Sequence, residues 1–228
     1  MMRRRPRLVL PGTPLHLIQR GNNRQACFYA DDYLFYLECL EEYANKYGCK
    51  VHAYALMTNH VHLLITPEET ESASSPMKHL GQRYVQYINR AYRRSGILWE
   101  GRFKSCIVQD ETYLLGCYRY IELNPVRVTM VEHPAEYRWS SYRVNAQAEA
   151  STLITPHEQY MQLAFDYEAG VGMYRELFRY QLEPGLVDEI REATNGNFTL
   201  GSDRFKEQVS AVLQRRVVAG RPGRPRKD

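Results

Sequence analysis

Two histidines one residue apart, His60 and His62, sit inside the apolar, β-branched run Leu56-Met57-Thr58-Asn59-His60-Val61-His62-Leu63-Leu64-Ile65. Side chains alternate faces along a strand, so both imidazoles take one face while Val61 and Leu63 take the other. They are then about 7 Å apart along that face, close enough to close on one ion. An isolated His-x-His is more often an ordinary pair of half-exposed strand residues. Its meaning depends on what else the chain brings to the same face.

The flanking patterns supply a frame. Leu15 to Gln19 reads as a first strand, ended by the turn-forming Arg20-Gly21-Asn22-Asn23-Arg24. Asp31 caps a helix running to about Tyr47, with Leu34, Leu37, Leu40 and Ala44 at helical spacing and Gly48 just past its end. Lys50 to Met57 is a second strand and His60 to Thr66 a third, joined tightly through Thr58-Asn59. A polar loop from Pro67 to Pro76 leads to a helix over Met77 to Arg94, stopped by Gly96, and then to a fourth strand over Gly101 to Val108. Asp110 is placed to cap the next helix, Glu111 to Asn124, which Pro125 ends. Strand, helix, strand, strand, helix, strand and a final helix make an α+β chain of the ferredoxin-like βαββαβ type. Its antiparallel sheet carries helices on one face.

The last of these helices sorts into two stripes. Leu114, Tyr118 and Ile121 are apolar, while Tyr113, Cys117, Tyr120 and Asn124 form the neighbouring stripe. Tyr120 and Asn124 are one turn apart, so a phenol and an amide oxygen can approach one point. If that stripe meets the strand of His60 and His62, two imidazoles, an amide oxygen and a phenol share a site. No separate carboxylate base is obvious, since Glu122 lies roughly 200° around the helix from Tyr120.

Charge narrows the partner. The net charge of +4 over 228 residues hides +4 from Arg3, Arg4, Arg5 and Arg7 and +5 from residues 215–228, which leaves −5 for the body between them. Within that acidic body, Lys78, Arg83, Arg90, Arg93, Arg94, Arg102 and Lys104 face only Glu100 between Lys78 and Ile107, interleaved with aromatics such as Tyr92 and Trp99. Arginines that neutralise phosphates beside rings that stack on unpaired bases suit single-stranded nucleic acid. The alternative is a solvated basic helix with a structural Trp99. Five cysteines without C-x-x-C spacing read as reduced thiols, neither a disulfide framework nor a cysteine zinc site. No apolar run reaches the length of a membrane span or has the flanks of a signal peptide. The expectation is a cytoplasmic protein.

Here a resemblance becomes specific. His60-Val61-His62 with its apolar flanks resembles the HUH signature, and Tyr118-Arg119-Tyr120-Ile121-Glu122-Leu123-Asn124-Pro125-Val126 resembles the helix that bears the nucleophile of single-tyrosine HUH transposases. With Arg20-Gly21-Asn22-Asn23-Arg24 and Leu98-Trp99-Glu100-Gly101-Arg102-Phe103-Lys104-Ser105, the chain is most similar to the REP-associated tyrosine transposases of the IS200-like group, over about residues 8 to 145. The resemblance implies a nuclease and strand transferase acting on hairpin-containing single-stranded DNA, in the bacterial cytoplasm at the nucleoid. Tyr120 attacks a backbone phosphate, keeps the 5′ phosphate and releases a 3′ hydroxyl. Phenol ionises near pH 10, so phenolate at pH 7 costs about 4 kcal/mol at 1.36 kcal/mol per unit. A divalent metal on His60, His62 and Asn124, most simply Mg²⁺ or Mn²⁺ with Zn²⁺ permitted, offsets part of the barrier by neutralising phosphate oxygens. A regulator that binds DNA on the same fold without cleaving is the alternative.

The expected DNA contacts are Arg20, Asn22, Asn23, Arg24, Arg83, Arg90, Arg93, Arg94, Trp99, Arg102 and Lys104, with Arg221 and Arg224 in the tail. The domains expected are a catalytic unit over residues 1–145, a helical appendage over 146–219 and a basic tail over 220–228. Within the appendage, helical segments near 185–194 and 202–215 suit either a small helix-turn-helix or a packing extension, with packing preferred. The tail, rich in Pro, Gly and charge, does not fold alone and resembles an AT-hook with its first Pro and Arg exchanged. The protein is expected as a monomer or homodimer.

Overall fold

The computed structural model describes residues 7–29 and 31–220, with the backbone alone at 110–112. Along the chain run β1 (Leu15–Arg20), α1 (Asp32–Lys46), β2 (Cys49–Met57), β3 (His60–Pro67), α2 (Ser74–Ala91), β4 (Lys104–Val108), α3 (Asp110–Glu122) and the single turn α4 (Asn124–Arg127). The C-terminal region adds α5 (Tyr142–Gln147), α6 (Glu158–Met161), α7 (Tyr167–Glu176), α8 (Pro184–Gly196), β5 (Thr199–Leu200) and α9 (Asp203–Leu213). The sheet order is β2-β3-β1-β4-β5, with every neighbour among the first four strands antiparallel. That is the expected α+β, ferredoxin-like arrangement.

Alternation along the strands builds two cores. Leu15, Leu17, Val61, Leu63 and Ile65 face α1 and α2, whereas Leu64, Cys106 and Val108 face α3 and the C-terminal helices. A bulge between Val51 and Ala53 resets the alternation of β2, so Ala53, Ala55 and Met57 join the second face. Helices therefore cover both faces, the second being supplied by α3 and the C-terminal region. β5 extends the sheet by pairing parallel to β4, and Ile190 of α8 and Val209 of α9 are buried. These helices pack as an extension of the sheet.

Several boundaries move for local reasons. α2 begins at Ser74, before the expected Met77, and ends at Ala91, after which Arg93 turns left-handed at φ 48°. β4 starts only at Lys104, because Gly101 takes φ 148° in the preceding loop. Pro125 does not simply stop a helix: α3 closes at Glu122, and Pro125 occupies the first turn of α4, where a missing N–H costs nothing. The cap of α3 is Gln109 rather than Asp110. The five cysteines are buried free thiols. Among the described residues no helix is long and apolar enough to cross a membrane.

Glu122 ties the second layer together. Fully buried, it accepts hydrogen bonds from Ser141 Oγ (2.6 Å), Asn145 Nδ2 (2.7 Å) and the Tyr174 hydroxyl (2.7 Å). Burial pushes its carboxyl up from 4.5 to about 7, against the opposing effect of those three bonds. The folded protein keeps this proton to about pH 7 whereas the unfolded chain releases it near 4.5, so stability is lost as pH rises between those values, by up to about 3 kcal/mol. In urea denaturation between pH 5 and 8, Glu122→Gln should flatten that decline. Glu122→Ala should lower stability by about 3 kcal/mol at pH 5, since three buried donors lose their acceptor, and the gap to the unsubstituted protein should narrow as pH rises because the titrating carboxyl is gone. An unchanged pH dependence in the Gln variant would locate the effect elsewhere.

Candidate active site

The β1/β3 register opposes Arg20 to His60, Ile18 to His62 and His16 to Leu64. Opposed residues share a face, so His16 and Arg20 join His60 and His62 on the side covered by α3. Tyr120, 5% exposed, sits edge-on to both inner imidazoles, its ring centre 5.7 Å from that of His62 and 5.6 Å from that of His16. The His60 and His62 ring centres are 5.0 Å apart. Asn124 is buried, and its Nδ2 donates to the Tyr120 carbonyl at 3.3 Å, which leaves Oδ1 available. All four side chains line one cavity of about 300 Å³.

The ring nitrogens are set for ligation. The Asn59 amide donates through Nδ2 to the Arg24 carbonyl, so its Oδ1 accepts from His60 Nδ1 at 2.6 Å and the His60 Nε2 keeps its lone pair. Burial, with Arg20 adding to it, pushes His60 down to about 4. His62 is held well below 6.5, first by burial and then by His16, His60, Arg20 and Arg127, and burial alone takes His16 to about 3. All three are neutral at pH 7, the form a cation needs. Among the described residues no three His, Cys, Asp or Glu side chains converge on one point. A cation between His60 and His62 must therefore take its side-chain oxygen from a residue such as Asn124, and the donor set fits a divalent ion with open positions.

The surroundings favour an anion. Arg20, Arg127 and Arg191 line the cavity and no carboxylate does. The Arg127 guanidinium lies 4.5 Å from the centre of the Tyr120 ring, and its Nη1 is buried without a partner among the described residues. A buried donor in that state is suited to a ligand oxygen.

The expected DNA contacts separate into groups. Arg20, Arg102 and Lys104 meet in a cleft of about 370 Å³ that adjoins the cavity through Arg20 and Ile18, together with Arg7, Arg215 and Arg216. The turn of Asn22, Asn23 and Arg24 lies beside the site, with Arg24, Asn59 and His60 around one hollow. Arg83 is instead paired with Glu42 on the far side of the sheet. Arg90 and Arg93 are exposed and Arg94 half-buried around the end of α2. Trp99 is packed among Phe28, Tyr36 and Tyr84 and is 8% exposed, the structural alternative. Arg221 and Arg224 lie outside the described residues.

Sequence reasoning missed His16, Arg127 and Thr194. The alternation of Leu15-His16-Leu17-Ile18 offered a signal for His16, but only the strand register brings it to His62. Arg127, three residues beyond Asn124, follows from the fresh turn at Pro125. Nothing local announces Thr194, which reaches the site from α8.

Residues 11–124 match the sequence profile of the family described as transposase IS200 like. The chain is 25% identical over 133 residues to a Haemophilus influenzae protein named as a REP-associated tyrosine transposase, covering 53% of this chain and 75% of that one. A solved REP-associated tyrosine transposase bound to a REP hairpin superimposes with a TM-score of 0.57 at 14% identity, over 69% of this chain and 93% of that one. At that identity the likeness is one of fold.

Proposed function

Because the chain belongs to the IS200-like transposase family, we propose that it cuts and rejoins hairpin-bearing single-stranded DNA with Tyr120 as nucleophile. One observation carries the reading. His60 and His62 from β3, Tyr120 from α3 and Asn124 from α4 line a single cavity that arginines surround and no carboxylate enters. DNA binding alone needs none of the four in register. The hairpin in the substrate is taken from the solved neighbour, which holds one.

In this reading the Tyr120 oxygen attacks phosphorus in line. Its bond to phosphorus forms as the bond to the 3′ oxygen breaks, the phenolic proton passes to water, and the departing 3′ oxygen gains a proton. The 5′ phosphate stays on Tyr120 until a 3′ hydroxyl reverses the exchange. Arg127 sets positive charge against the ring that becomes anionic, and its unpartnered Nη1 can take a phosphate oxygen. His60, His62 and Asn124 would hold Mg²⁺ or Mn²⁺, which when bound neutralises phosphate oxygens. Incubation with labelled single-stranded hairpin DNA and Mn²⁺ tests the proposal: a covalent protein–DNA adduct is expected, and binding with no adduct would leave a regulator.

The basic cleft supplies a second test. Arg102 and Lys104 flank the cavity, so changing both to Ala should weaken single-strand binding and lower the slope of log K against log salt by about 1.4, at about 0.7 per phosphate contact. Arg83→Ala, which removes a charge paired with Glu42 on the other side of the sheet, should leave the slope alone. Equal slopes in both variants would place the DNA elsewhere.

A further inference from the structure

We infer that His16 and Thr194 are positioning residues that fix the tautomer of His62 and so turn its Nε2 lone pair to a divalent cation. The inference rests on the reading of His60 and His62 as cation ligands. Its basis is a chain of hydrogen bonds whose direction is set at one end. Thr194 Oγ1 lies 2.7 Å from the Ile190 carbonyl one turn back in α8, and a carbonyl only accepts, so the single hydroxyl proton of Thr194 is committed there. Oγ1 is then an acceptor toward His16 Nδ1 at 2.8 Å, and the Cys106 thiol at 3.2 Å is free to act as a second donor.

His16 therefore donates from Nδ1. Its ring is 1% exposed and no carboxylate lines the cavity to support a second proton, so with one N–H to give its Nε2 carries a lone pair. That nitrogen is 2.9 Å from His62 Nδ1, in ring planes parallel to within 6°. His62 Nδ1 must be the donor, and in a neutral imidazole Nε2 is then unprotonated. Running the chain the other way, with Thr194 donating to His16, would place a proton on His62 Nε2 and close it to a metal. One hydroxyl on α8 thus decides whether the inner histidine can ligate, as outer hydrogen bonds do at metal sites generally.

His60 is preset in the same sense by Asn59 Oδ1, from the hairpin loop between β2 and β3. The two rings differ in the source of their partner. Thr194 lies well beyond residues 11–124, so the C-terminal region completes a site whose reacting side chains all come from the family's own segment.

The test uses the full chain, labelled with ¹⁵N and free of metal at pH 8. Long-range ¹H–¹⁵N correlation should find His62 with a protonated Nδ1 and a bare Nε2. Thr194→Val, which keeps the shape and removes the hydroxyl, should mix the two tautomers and weaken Mn²⁺ binding, read by electron paramagnetic resonance, about 10-fold or more. Thr194→Ser should restore both. A proton on Nε2 of His62 in the unsubstituted protein, or equal Mn²⁺ affinity in Thr194→Val, would overturn the inference while leaving the DNA-cleaving reading intact. Failure of the unsubstituted protein to bind Mn²⁺ at all would overturn the cation reading and this inference with it.

Discussion

Tyr120→Phe should lower strand cleavage about 10⁴-fold or more and eliminate the covalent adduct, while leaving the fold and DNA affinity nearly unchanged. The substitution removes one oxygen that has no hydrogen-bond partner among the described residues, so no buried group is orphaned by its loss, and the ring keeps its edge-on packing against His16 and His62. Among the described residues no other tyrosine lines the cavity. Tyr84 is fully buried and donates to the Cys27 carbonyl at 2.7 Å, and Tyr118, equally buried, accepts from the His157 N–H. Tyr92 donates to the Asp32 carboxylate at 3.0 Å. Tyr113 borders a separate hollow beside Glu189, outside the cavity of His60 and His62. An adduct formed by the Phe variant, located by mass spectrometry of the linked peptide, would identify another nucleophile.

Replacing His60 and His62 together with Ala should abolish metal-dependent cleavage, a loss of about 10³-fold or more if the ion supplies several kcal/mol of charge stabilisation. DNA binding should survive, because the arginines of the adjoining cleft, Arg102 and Arg7 among them, do not depend on either imidazole. The fold should survive as well, since Leu63, Leu64 and Val61 hold β3 in the sheet from both faces. The readouts are cleavage with and without excess chelator and binding measured by fluorescence anisotropy. Equal cleavage by the double variant, or by the unsubstituted protein in chelator, would remove the ion from the reaction.

Much of this was legible in order along the chain, for a physical reason. Strand alternation and helical period are local, so the shared face of His60 and His62, the stripe of Tyr120 and Asn124, and the βαββ pattern could all be read before any contact was known. The family resemblance rests on the same short stretches. The bearing of Glu122 away from Tyr120 is likewise a matter of helix geometry alone, and the structure holds it on Ser141 and Tyr174.

What the tertiary structure decided is which distant residues meet. Register between β1 and β3 is a relation between two strands, and only it brings His16 and Arg20 to the histidine pair. Burial separated the arginines: Arg102 and Lys104 join the cleft, Arg83 pairs with Glu42, and Trp99 is taken into an aromatic core. Thr194 reaches His16 across 178 positions, and the same helix helps to cover the second face of the sheet. Local periodicity determined the elements and the two motifs of this chain. The closed site, with its arginines and its directed hydrogen bonds, depended on contacts between segments that no local pattern encodes.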